Sequence, residues 1–229
     1  MSASCGHEHT FDGMDPDYRR RLVAVTAINI AMFAVEMIAG QLSGSQALKA
    51  DALDFFADGV TYALSFWAIG KPLGVRAGAA FLKGVSLLLM GLWVAGTTLY
   101  QIFVFGIPAA EVMGGIGVLA LLANLASVWL LAAYKDGDAN VRSVWLCSRN
   151  DAIGNVAVVI AAIFVFAFGT GAPDLVVAGI MAALFLSSAW QILRRSFAEW
   201  RHVRAAHGSD HEHAHDHGTA GDGITHLHE

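Results

Sequence analysis

The chain has 229 residues, 56% of them hydrophobic and only 14% charged, against about 25% charged in a soluble domain. That excludes an ordinary soluble enzyme and predicts a polytopic membrane protein, with one membrane domain taking up nearly the whole chain and no nucleic-acid partner. The net charge of −5 belongs to the tails: residues 1–18 hold four acids and no base, residues 205–229 hold five and none, and residues 19–204 carry 14 bases against 10 acids.

In chain order, a polar tail (1–19) containing "CGHEH", with Cys5, His7 and His9, comes first. After Arg19, Arg20 and Arg21 an apolar run spans 22–43 and contains Asn29 and Glu36. "GQLSGSQ" breaks it. A second run, 50–70, carries Asp51, Asp54 and Asp58 near its start. The third, 77–99, holds Lys83, and the fourth, 112–134, holds Asn124 and a glycine run at 114–117 that suits close helix contact. The fifth, 144–169, begins with Cys147, Arg149, Asn150, Asp151 and Asn155, and the sixth is 174–193. Each run is near the ~20 residues a helix needs to cross hydrocarbon. The breakers "GKPLG", "FGIPAAE", "YKDGDAN" and "GTGAPD" separate them. The predicted fold class is an all-α membrane protein with six transmembrane helices. Residues 20–196 form that domain, between a disordered metal-binding N-terminal tail (1–19) and a disordered His-rich tail (197–229). Cys5 and Cys147 read as free thiols rather than a disulfide framework.

Six spans put both termini on one side, and 12 of the 14 basic residues fall there. The positive-inside rule then makes both termini cytoplasmic, in an inner or plasma membrane.

The polar residues within the spans need a reason, because a carboxylate in a bilayer helix is expensive. Two pairs share one geometry: Asp54 and Asp58 are four apart, as are Cys147 and Asp151. Residues at i and i+4 lie on one helix face, so two such pairs on facing helices place four ligands around one cation. Three carboxylates and a thiolate suit a borderline divalent metal, Zn²⁺, Co²⁺ or Cd²⁺, better than Mg²⁺ or Ca²⁺. Buried carboxylates also take up protons, which a bound metal displaces. Metal and protons then compete for one site, the physical core of a metal/proton antiporter. The plainer readings stand beside this one. Asp51 reads as a helix N-cap or dipole partner, Lys83 as a neutraliser of Asp58, and Cys147 as a small packing residue.

The order of these features resembles the cation diffusion facilitator family. "LSGSQALKADALDFFAD" is similar to the family's junction between spans 1 and 2, with Asp54 and Asp58 at paired ligand positions. "GVLALLANLASVWLL" is similar to its span 4, and "SRNDAIGNVAVVIAA" to its span 5, with Asp151 at a ligand position. The resemblance covers about residues 20–195 and implies six spans, a shared metal site and a dimer, which here would form through the transmembrane helices. It departs in two places. The family's first span-5 ligand is usually His or Asp, where this chain has Cys147; the thiolate, a water or Asn155 would complete the site. Many members also carry a folded cytoplasmic domain of some 80 residues after span 6, where this chain has only about 35 residues without a strand pattern.

Those residues include His207, His211, His213, His215 and His217, interleaved with acids. Imidazole and carboxylate suit Zn²⁺, Co²⁺ or Ni²⁺, so the tail is an accessory metal-capturing segment or a solvated acidic tail. The expected function is a secondary transporter that exports Zn²⁺, Co²⁺ or Cd²⁺ as substrate, with no cofactor, by proton antiport. A membrane-anchored metal buffer and a metalloenzyme are the alternatives. No HExxH, serine elbow or Walker A motif supports an enzyme or an ATP-driven pump.

Overall fold

The computed structural model describes residues 16–68, 73–104, 106–134 and 139–215. Among these the chain is helical and contains no strand. The helices are α1 (Pro16–Ser43), α2 (Gln46–Ala68), α3 (Leu73–Val104), α4 (Ala110–Leu131), α5 (Ala139–Phe168) and α6 (Ala172–His215), with a 3₁₀ turn at Ala132–Tyr134 after α4. The N-terminal tail up to residue 15, His217 and the rest of the tail lie outside the described residues.

Among the described residues five stretches are long and apolar enough to cross a membrane: Pro16–Ser43, Phe81–Val104, Ala110–Tyr134, Cys147–Phe168 and Ala172–Arg194. The helix missing from that set is α2. At 23 residues it has the length, but Asp51, Asp54 and Asp58 lower its apolarity. The outward faces of the other helices carry large exposed apolar side chains, among them Leu42, Phe103, Trp129 and Phe166. The protein is therefore an all-α, multi-pass integral membrane protein.

Local chemistry sets the turns. Gly44 ends α1 at φ 75° and Gly169 ends α5 at φ 61°, the left-handed region that closes a helix and that a side chain disfavours. Ser45 follows immediately as the N-cap of α2, its Oγ accepting the Leu48 N–H at 3.1 Å. Thus α2 begins at Gln46, a full turn before the apolar run that marks it in the sequence. The N–H of Ala109 donates to the Ser43 carbonyl at 2.9 Å and ties the start of α4 to the end of α1.

Helices α1, α2, α4 and α5 form one packed group, and α3 lies along α6 as a pair against α2. Glycines let α3 and α6 approach closely. A Cβ on Gly84 would sit 3.0 Å from Ile192 and Leu193, and one on Gly91 would sit 3.0 Å from Leu186. The expected close contact in span 4 is present at Gly117, where a Cβ would meet Val159 at 3.2 Å across the α4–α5 interface. At the centre of the bundle, α2 touches each of the other five helices.

Two apolar clusters seal the four-helix group at opposite ends. Where α1 and α5 begin and α2 and α4 end, Tyr18, Leu22, Val25, Tyr62 and Leu131 pack together. At the other end Ala39, Ala47, Leu48, Met113, Val158 and Val165 do the same. The polar side chains of the spans lie between them.

The expected boundary at residue 196 falls inside a continuous helix, because α6 runs to His215. Once a span has nucleated the helix, extension adds one hydrogen bond per residue, and no proline or glycine interrupts α6 between Gly179 and Gly208.

Candidate metal centre

The site is built on α2 and α5. Asp54 and Asp58 lie one turn apart on α2, and Cys147 and Asp151 lie one turn apart on α5. The two helices pack against each other. Asp151 comes within side-chain interaction range of both Asp58 and Asp54. Cys147 also feels both aspartates, and its side chain packs against the apolar cluster around Tyr62. Asp58 is buried, at 9% exposure. The side chains of Asp54, Cys147 and Asp151 keep part of their surface accessible, as an ion site needs.

Asp58 is held. The Tyr62 hydroxyl, one turn further along α2, donates to its Oδ2. The same phenol oxygen lies 3.2 Å from Ser148 Oγ on α5, so a short polar chain joins the two helices at the level of the site. Among the described residues no three His, Cys, Asp or Glu side chains stand as a ready metal-ligating group. The carboxylates are neighbours but not yet ligands to one point.

Lys83 on α3 lies near enough to act electrostatically on Asp54 and Cys147, yet it forms no direct ion pair with them among the described residues. It is a nearby positive charge on the α3 side of the aspartates.

Asp51 does not cap α2, because the helix starts at Gln46 and is capped by Ser45. At 2% exposure Asp51 faces Glu36 of α1, which is fully buried, and the two carboxyls lie within hydrogen-bonding range of each other. Asn155, one turn beyond Asp151, is likewise fully buried with both side-chain atoms unpaired. Together they extend the polar interior from the α2–α5 aspartates toward the far end of the bundle.

The residue that does complete the α2 cap comes from 127 to 129 positions away. Asp174, in the first turn of α6 and 1% exposed, accepts from Ser45 Oγ at 2.5 Å, from the Gln46 N–H at 2.8 Å and from the Ala47 N–H at 3.0 Å. This carboxylate pins α2 to α6. In the sequence it sits in "GTGAPD" and reads only as part of a helix-breaking turn. Tyr62 carried a usable signal, since Asp54, Asp58 and Tyr62 repeat at i, i+4 and i+8. Ser148 carried none.

Of the tail histidines, His207, His211, His213 and His215 are positions on the α6 extension, remote in sequence from the α2–α5 site.

Chemically, α2 and α5 offer three carboxylates and one thiol in the interior of the bundle. That donor set fits a borderline divalent cation.

Comparison with known proteins agrees. The cation efflux transmembrane domain matches residues 22–199. The chain is 31% identical over 207 residues to the zinc transporter ZitB of Yersinia pestis, covering 83% of this chain and 65% of that protein. It is 25% identical over 209 residues to the cadmium, cobalt and zinc/H(+)-K(+) antiporter of Bacillus subtilis, covering 83% and 65%. It is 26% identical over 205 residues to the metal cation efflux system protein CzcD of Cupriavidus metallidurans, covering 83% and 63%. The chain thus spans less than two thirds of each of these relatives. A matched domain covering most of the chain and the four-residue pairs on α2 and α5 lead to one conclusion: the chain belongs to the cation efflux family.

Proposed function

We propose that this protein is a secondary transporter that moves a divalent transition-metal cation (Zn²⁺, Co²⁺ or Cd²⁺) out of the cytoplasm in exchange for protons. The observation that carries the proposal is the approach of Asp151 on α5 to both Asp54 and Asp58 on α2, the helix that touches all the others. Asp54, Asp58 and Asp151 are the oxygen ligands, and Cys147 is the fourth. Binding needs deprotonated ligands, so the arriving cation releases protons. Protons entering from the opposite side then weaken the hold on the metal and reset the carboxyls. The zinc, cadmium and cobalt named in the relatives support this substrate class.

In this reading α2 is the sixth span, and both termini lie in the cytoplasm with most of the basic residues. The exposed apolar helix faces support a homodimer formed within the membrane. The histidines at 207, 211, 213, 215 and 217 capture metal near the entrance. The metal is cargo, and the protein performs no covalent chemistry and needs no cofactor.

The test is uptake of Zn²⁺, Co²⁺ and Cd²⁺ into proteoliposomes under an imposed pH gradient, with Asp58→Ala and Asp151→Ala as controls. Gradient-dependent flux should be lost in both variants while each still elutes as a folded species. Full flux in either variant overturns the site, and absence of flux in the wild type favours a metal buffer acting through its tails.

A further inference from the structure

We propose that Tyr62 is a positioning residue that orients Asp58, competes with the cation for the charge on one of its oxygens, and so sets the apparent affinity for the cation. The inference rests on the transport reading above, but on different observations. The Tyr62 phenol donates to Asp58 Oδ2. A phenol has one proton, so at the 3.2 Å contact with Ser148 the serine hydroxyl must be the donor. The polar chain therefore runs in one direction, from Ser148 on α5 through Tyr62 to Asp58 on α2. It commits one oxygen of Asp58 to a protein donor.

The ring cannot easily move to release the carboxylate. Tyr62 is fully buried. It packs with Tyr18, Leu22 and Val25 of α1 and Leu131 of α4, with Phe66 and Trp145 around them. These residues come from four helices and meet at one end of the bundle. The phenol is thus fixed by packing, and the mobile partner is the carboxylate. A carboxylate oxygen can accept a hydrogen bond and bind a cation at once, so the bond need not break. The phenol instead draws negative charge from Oδ2 and weakens it as a ligand, and the contact with Ser148 ties that effect to the α2–α5 interface.

Tyr62→Phe keeps the packed ring and removes only the competing donor. Hydrogen bonds to charged groups are among the stronger ones, so relief from this competition should lower the half-saturating Zn²⁺ concentration for uptake about ten-fold, equivalent to ~1.4 kcal/mol. The maximal rate should not rise, because release becomes harder as binding tightens. Ser148→Ala should shift half-saturation in the same direction by a smaller factor, since the phenol loses its own partner. Both are measured in proteoliposomes with the full chain, after each variant is shown to elute as the wild type does. A purely structural tyrosine predicts fewer folded molecules at unchanged half-saturation, and that result overturns the proposal. An increase in half-saturation in Tyr62→Phe overturns it as well, because it makes the phenol a helper of binding rather than a competitor. Wild-type flux that is lost in Asp58→Ala, with Tyr62→Phe unchanged, leaves the transporter reading intact and removes only this one. No wild-type flux removes the transporter reading itself.

Discussion

Replacing Asp174 by alanine is the sharpest test of how the site helix is held. The carboxylate receives the Gln46 and Ala47 N–H groups and the Ser45 hydroxyl, all at a point that is 1% exposed. Alanine leaves the two backbone donors buried without partners. Each unsatisfied buried donor costs about 1–3 kcal/mol. Ser45 still caps Leu48 and can turn its hydroxyl elsewhere, so its loss adds little. The expected destabilisation is therefore about 2–6 kcal/mol. By the scaling for chains of this size, that corresponds to a fall in Tm on the order of 10 °C. Asparagine gives a finer check. Its remaining oxygen can keep the Oδ1 bonds to Ser45 and Ala47, while its amide faces the Gln46 N–H, donor against donor. Asp174→Asn should then lose roughly half as much. The assay is the loss of the monodisperse peak of detergent-solubilised protein after heating across a temperature series. An Asp174→Ala variant melting within about 2 °C of the wild type would show that the α2 cap is supplied some other way and refute the reasoning.

Three other outcomes follow from the same contacts. Gly91→Leu must push α3 from α6, since even a Cβ there lies 3.0 Å from Leu186; it should destabilise by about 1–3 kcal/mol, read by the same thermal assay, whereas Gly96→Leu, where a Cβ meets nothing, should not. If the thiolate is the fourth ligand, Cys147→Ser should lower Cd²⁺ transport more than Zn²⁺ transport, because sulfur favours the softer ion; equal losses would place Cys147 in the packing alone. Truncating residues 205–229 should raise the half-saturating Zn²⁺ concentration several-fold and leave the maximal rate, since capture at the entrance is separable from passage; complete loss of flux would contradict an accessory tail.

Much of this architecture is legible in the sequence because hydrocarbon is an exacting solvent. Runs of ~20 apolar residues have few alternatives to a helix, and the polar exceptions name the helices that must face inward. Asp54, Asp58 and Asp151 were visible in this way, as were the close contact at Gly117 and the turns at Gly44 and Gly169. Long-range partners were not. The pairing of Asp174 with the start of α2 joins residues about 128 positions apart, and no local pattern encodes it. Asp51 was read as a cap because the apolar run hides the true start of α2 at Gln46. Glu36 stood out as a buried acid, but only the fold shows that it faces Asp51. The helical continuation of α6 to His215 went unseen because tail composition outweighed helix propagation.

The central position of α2 also bears on how the protein enters the membrane. An aspartate near the middle of a helix adds about 2.5–3.5 kcal/mol to the free energy of insertion, and α2 carries three of them. A segment so burdened inserts poorly by itself. Its neighbour α1 precedes it by a two-residue turn and meets it closely at Gly40, where a Cβ would lie 2.9 Å from Lys49. The two helices are therefore suited to leave the insertion machinery as a hairpin, with Asp51 turned inward against Glu36 of α1. Full shielding waits for α5, which begins about seventy residues after α2 ends, so biogenesis passes through an interval in which the α2 aspartates are the least settled part of the nascent chain.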